Sequence, residues 1–121
     1  MQGHEFDFER LEVYQRALEF TDNVFNFTKN FNHALQYSLG DQFRRAALSI
    51  CNNIAEGSGK QTTNAKVQFY GYSMDSAREC IPMISLSLKQ KQIEEKNYNY
   101  LRQECKEICN MLGGLIGSAK R

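Results

Sequence analysis

The chain has a single proline in 121 residues and no apolar run approaching the ~20 residues that cross a bilayer. It also has no excess of one charge. Fifteen Lys and Arg stand against fourteen Asp and Glu, a formal net charge of +1, which is not the total of a strongly basic nucleic-acid protein. The opening Met1-Gln2-Gly3-His4-Glu5 lacks a basic stretch followed by an apolar one, so the reading is a cytoplasmic protein without a secretory leader. No strict apolar/polar alternation bounded by turn residues is long enough for a sheet. Collagen-like, low-complexity and disordered classes are excluded by a composition that is 41% hydrophobic and 24% charged.

A mass of 14.0 kDa implies about 6,700 Å² of folded surface against roughly 20,000 Å² unfolded, enough burial for one domain (1–121) without disulfides. Cys51, Cys80, Cys105 and Cys109 therefore read as reduced thiols, the small buried apolar groups of a cytoplasmic protein. Charge is mildly uneven: −3 up to Gly40 and +4 beyond it.

With so few breaks, the pattern is helical. Leu11, Tyr14, Leu18, Thr21, Val24, Phe25 and Thr28 recur at steps of three and four over about 8–30, predicting one apolar face. Val13, Phe20 and Phe27 widen it, implying contact on two sides. A second helix over about 40–56 puts Leu39, Phe43, Ala46, Ala47, Ile50 and Ile54 inward and stacks Arg45, Ser49, Asn52 and Glu56 into a polar stripe opposite. Between them runs Arg44, Leu48, Cys51 and Ala55, which is either a subunit contact or a semi-exposed flank. Gly57 to Gln61 connects to a third helix over about 62–88, capped by Thr62 or Thr63, in which Pro82 weakens the turn back to the Arg78 carbonyl. A fourth, over about 93–116, carries Ile93, Tyr98, Leu101, Cys105, Ile108, Leu112 and Leu115 and frays near Gly113 to Gly117. Four such helices joined by short loops predict an all-α, antiparallel up-down-up-down bundle.

Motifs for chemistry are weak. Ser58-Gly59-Lys60 fails as a phosphate loop because Ile54 and Gln61 stand where glycine and Ser or Thr are required. Cys105 and Cys109 share a helix face but lack a second pair of metal ligands. His4 and His33 lie in a terminus and a loop, and no nucleophile, base and acid can be grouped. No cofactor, metal or enzymatic activity is therefore expected. The densest polar group is Glu56 with Asn52, Asn53 and Arg45, and Ser76 and Glu79 lie three apart on the third helix. Such groups either hold a ligand or satisfy one another across a helix pair.

The run Gln42-Phe43-Arg44-Arg45-Ala46-Ala47-Leu48-Ser49-Ile50-Cys51-Asn52-Asn53-Ile54-Ala55-Glu56-Gly57 closely resembles Q-x-R-R-A-x-x-S-I-x-x-N-I-A-E-G. That pattern marks the four-helix-bundle proteins encoded in intervening sequences of bacterial large-subunit ribosomal RNA genes. Phe8 to Ala17 is similar to the family's opening helix, and Phe69, Ser76 and Glu79 extend the likeness through the third. Cys51 departs from the family at a place where proline is frequent, and Asp75 at one where glycine is.

The resemblance implies a ring-like homo-oligomer, in relatives a homopentamer. A related branch is the accessory variability determinant of diversity-generating retroelements, whose ring carries basic surface and binds nucleic acid and a reverse transcriptase. Arg45, Ser49, Asn52, Asn53, Glu56, Gly57, Ser76 and Glu79 are the expected signature network. Val13, Phe20, Phe27, Leu48, Cys51 and Ala55 are the expected subunit contacts. Arg44, Arg45, Lys60, Lys66, Lys89, Lys91, Lys96, Arg102 and Lys106 are candidates for phosphate contact with RNA or DNA by charge. The expected function is a non-enzymatic, nucleic-acid-associated scaffold; the alternative is a protein adaptor that docks a partner such as a reverse transcriptase.

Overall fold

A computed structural model describes residues 6–121; the expectations placed on Met1 to Glu5, His4 included, lie outside the described residues. Those residues form four long helices, with no strand among them: α1 (Glu12–Lys29), α2 (Asp41–Ser58), α3 (Thr63–Lys89) and α4 (Glu95–Lys120). None is long and apolar enough to cross a membrane.

The first helix starts later than the apolar pattern because Asp7–Arg10 closes a separate 3-10 turn, where the Glu9 carboxylate accepts the Phe6 N–H at 3.1 Å. After α1 the Asn32 side chain accepts the Leu35 N–H at 3.1 Å and starts a short helical turn. A wide π-helical turn, Gln36–Gly40, then runs directly into α2. Arg44 holds that turn by donating to the Gln36 carbonyl at 2.9 Å. Thr62 caps α3 through its hydroxyl, which accepts the Ala65 N–H. The helix continues through Pro82 to Lys89 and is closed off by Lys91, whose φ of 60° lets the Gln92 N–H reach back to the Ser87 carbonyl. Helix α4 does not fray at Gly113 to Gly117; it runs through all three glycines to Lys120.

Helix α3 lies between α2 and α4, with α1 packed on α2 and more lightly on α4. Phe20, Phe43, Ile50, Ile54, Ile84, Leu101, Ile108 and Leu112 are wholly buried, each contributing about 1.5–3 kcal/mol of transfer free energy. Thr21 ties α1 to α2 from inside: its hydroxyl lies 2.8 Å from the Ala17 carbonyl, 3.1 Å from that of Ala47 and 3.4 Å from Cys51 Sγ.

The face of α1 is rotated from the expected one. Its buried residues are Val13, Ala17, Phe20, Thr21, Val24 and Thr28, and Leu18 and Phe25 are exposed. Ala17 explains the rotation: a small side chain at the centre of the face lets the helix sit close, bringing Val13 and Phe20 into the core. Val13, Phe20 and Cys51 are thus interior residues of the protomer, a correction to their expected place at a subunit contact.

Candidate functional site

The signature residues divide into two groups. Along the α2–α3 seam, the Asn53 amide donates to the Ser49 carbonyl and hydroxyl at 2.9 and 3.1 Å, and the Ser76 hydroxyl donates to Ser49 Oγ at 2.9 Å. Ser73 on α3 donates to the Ile50 carbonyl at 2.8 Å. These short side chains allow close approach, and Gly57 carries it furthest: a Cβ there would lie 2.8 Å from Tyr70 Cε1 and 3.1 Å from Phe69 Cβ.

Arg45, Asn52, Glu56 and Glu79 stand outside this network. Arg45 pairs with Asp41 at 3.3 Å, Glu56 pairs with Lys60 at 3.3 Å, and Asn52 and Glu79 are exposed. Arg45, Ser49 and Glu79 share a shallow depression with Gln42 and Pro82 on the outer face of α2 and α3.

Several expected phosphate contacts are held within the protomer. Arg44 is engaged by the Gln36 carbonyl, and Lys66 donates to the Ser58 carbonyl at 3.0 Å. Lys60 pairs with Glu56 and lies 4.9 Å from the Phe69 ring centroid. Lys96 lies 3.7 Å from Glu94, while Lys89 and Lys91 stand at the exposed end of α3.

Arg102 and Lys106 are different. Four residues apart on α4, they line a groove of about 520 Å³ against α3, where Arg78 joins them from the opposite wall. Asn99 and Gln103 supply neutral polar groups, Ala77, Ile81 and Cys105 the apolar floor, and no carboxylate lines the groove. None of the three cations pairs with a carboxylate among the described residues. The Arg102 guanidinium lies 5.5 Å from the Tyr98 ring centroid. Arg78 is the residue that sequence reasoning missed; Arg102 and Lys106 show their shared face by spacing, but their partner across the groove depends on helix register.

Two cysteines, Cys80 on α3 and Cys109 on α4, have raised pKa values. The Cys80 thiol donates to Cys105, and that bond together with burial pushes it strongly upward. Burial raises Cys109, with Arg78 opposing the shift. Among the described residues, no three His, Cys, Asp or Glu side chains are arranged to hold a metal.

A third surface is apolar. Leu18 (48% exposed) and Phe25 (42%) on α1 lie on the side that faces α2, and Leu48 (44%) and half-buried Ala55 lie on the facing flank of α2, beside the Thr21 contacts. Phe27 is half-buried against the core.

Four long helices, a polar packing seam and a cation-lined groove define a small all-α protein. Its sequence matches the family model for the 23S rRNA-intervening sequence protein over residues 9–114, and the chain belongs to that family. Among solved structures it is similar to a protein of unknown function from the S23 ribosomal protein family of Bacteroides thetaiotaomicron. That likeness has a TM-score of 0.80 and 23% identity, covering 87% of this chain and 95% of the other. The comparison with curated proteins gave no match.

Proposed function

We propose that this chain is a non-enzymatic, nucleic-acid-associated scaffold of the cytoplasm, built as a ring-like homo-oligomer, a pentamer, of antiparallel up-down-up-down bundles. The alternating direction is supported by the order of contacts: Ser49, Ile50 and Gly57 on α2 meet Ser76, Ser73 and Tyr70 on α3. A cytoplasmic setting agrees with four unpaired cysteines. A closed ring joins two different faces of each copy. The apolar flank of Leu18, Phe25, Leu48 and Ala55 supplies one, and the depression holding Arg45 and Glu79 supplies the other.

The observation that carries the nucleic-acid reading is the α3–α4 groove, which gathers Arg78, Arg102 and Lys106 with no carboxylate in its lining. A net charge of +1 per chain gives little general attraction, so a local concentration of cations is what a phosphate backbone would meet.

The reading is tested by titrating labelled RNA and DNA at rising salt while light scattering follows the mass. Affinity should fall steeply with salt. Leu48→Arg should lower the mass with helicity retained, because a charge would then stand in an apolar contact. A monomeric wild type would overturn the ring, and absence of binding at low salt the nucleic-acid role. Capture of a protein partner such as a reverse transcriptase, resistant to nuclease, would put an adaptor in its place.

A further inference from the structure

Resting on that nucleic-acid reading, we infer that the α3–α4 groove takes one nucleotide unit of a single strand, its phosphate held between Arg78 and Lys106 and its base stacked against the Arg102–Tyr98 pair. At about 520 Å³ the groove has the size of a small-molecule site. A duplex offers phosphates on a convex surface and keeps its base faces stacked inside. A single strand can turn an unstacked base into a concave site.

The walls divide the work by chemistry. Arg78 on α3 and Lys106 on α4 bring positive charge from opposite sides, and no carboxylate in the lining competes for it. Arg102 lines the groove and lies near the Tyr98 ring, which stands one turn earlier on α4, just beyond the lining; planar cation and planar aromatic together offer a surface to a base at that end of the groove. Gln103 donates one amide hydrogen to Glu107 at 3.2 Å, which leaves its carbonyl oxygen to accept from a base edge. Asn99 adds a second amide on the same wall. Ala77, Ile81 and Cys105 beneath form a small apolar floor. Phosphate cradle, stacking pair, edge-reading amides and apolar floor are the parts that single-strand recognition uses.

Fluorescence anisotropy with a labelled 12-mer single strand and a hairpin duplex of the same sequence tests this, with mass and melting temperature followed on each variant. The wild type should favour the single strand by roughly tenfold or more. Replacing both Arg78→Gln and Lys106→Gln should weaken binding at least tenfold and reduce the salt slope by about 0.7, the share of the one single-strand phosphate held between them. Arg102→Lys keeps the charge but removes the planar group, so affinity should fall with the salt slope unchanged. Equal affinity for duplex, or groove variants that bind like a salt-sensitive wild type, would overturn the groove and leave the nucleic-acid reading standing. A lower oligomer mass in the double variant would make the groove a subunit contact and also overturn it. A wild type that binds neither probe at low salt would overturn both.

Discussion

Helix α3 packs on α2 along one side and faces α4 across a groove along the other, and side-chain length distinguishes the two sides. Toward α2 the polar contacts are made by Ser49, Ser73 and Ser76, short enough for hydroxyls to reach across to hydroxyls and carbonyls, and Gly57 leaves room for the Tyr70 and Phe69 side chains. Toward α4 the outer positions are Arg78, Arg102, Gln103 and Lys106, whose long polar side chains stand at the rim of an open groove. Short groups fix the geometry of the first side. Long ones on the second keep their charged ends in water above an apolar floor, so one helix serves as both joint and platform.

Alkali sharpens the comparison and should have the largest effect. Burial raises Cys51, and Cys80 is raised still further by its bond to Cys105. The folded chain therefore keeps protons that the unfolded chain releases above the ordinary thiol value of about 8.5. Stability is fully present below that pH and is lost as pH climbs beyond it, at up to about 1.4 kcal/mol per pH unit for each thiol. Denaturant titrations from pH 7 to 10 should show the fall, and Cys80→Ala should make it shallower while Cys51 and Cys109 keep their share. An unchanged slope in that variant would mean that Cys80 contributes nothing to the loss.

Gly57→Ala attacks the close seam directly. With Tyr70 at 2.8 Å, either the ring or the helix must move, and a loss of about 1–3 kcal/mol is expected by calorimetry. The same substitution at Gly114 or Gly117 should reverse the sign. Neither has anything within 4 Å of a would-be Cβ, and both lie inside α4, so alanine should raise stability by about 0.5–1 kcal/mol at each. Equal effects at all three glycines would break the distinction between a seam that needs the missing side chain and a helix end that does not.

The helices and most of the core are legible in the sequence because spacing alone carries them: Phe43, Ala47, Ile50 and Ile54 on α2, and Leu101, Cys105, Ile108 and Leu112 on α4, are interior as the pattern predicts. The face of α1 is not, because Leu18 and Phe25 are as apolar as Val13 and Phe20, and only the small Ala17 marks the centre of contact. For the candidate site, charge alone selects Arg44 and Lys66, whose donors reach local carbonyls, and it gives no reason to group Arg78 with Arg102 and Lys106. That grouping is a matter of register between two helices.

Pro82 carries no N–H, so within α3 the carbonyl of Arg78 has no partner one turn on. The helix is missing a rung between its half beside the Ser73 and Ser76 contacts and its half leading to Lys91. Amide exchange from the native state would register this as two blocks with separate protection. Faster exchange in the later turns than in those beside the α2 seam is the expected result, with Arg78 at the boundary between the two blocks.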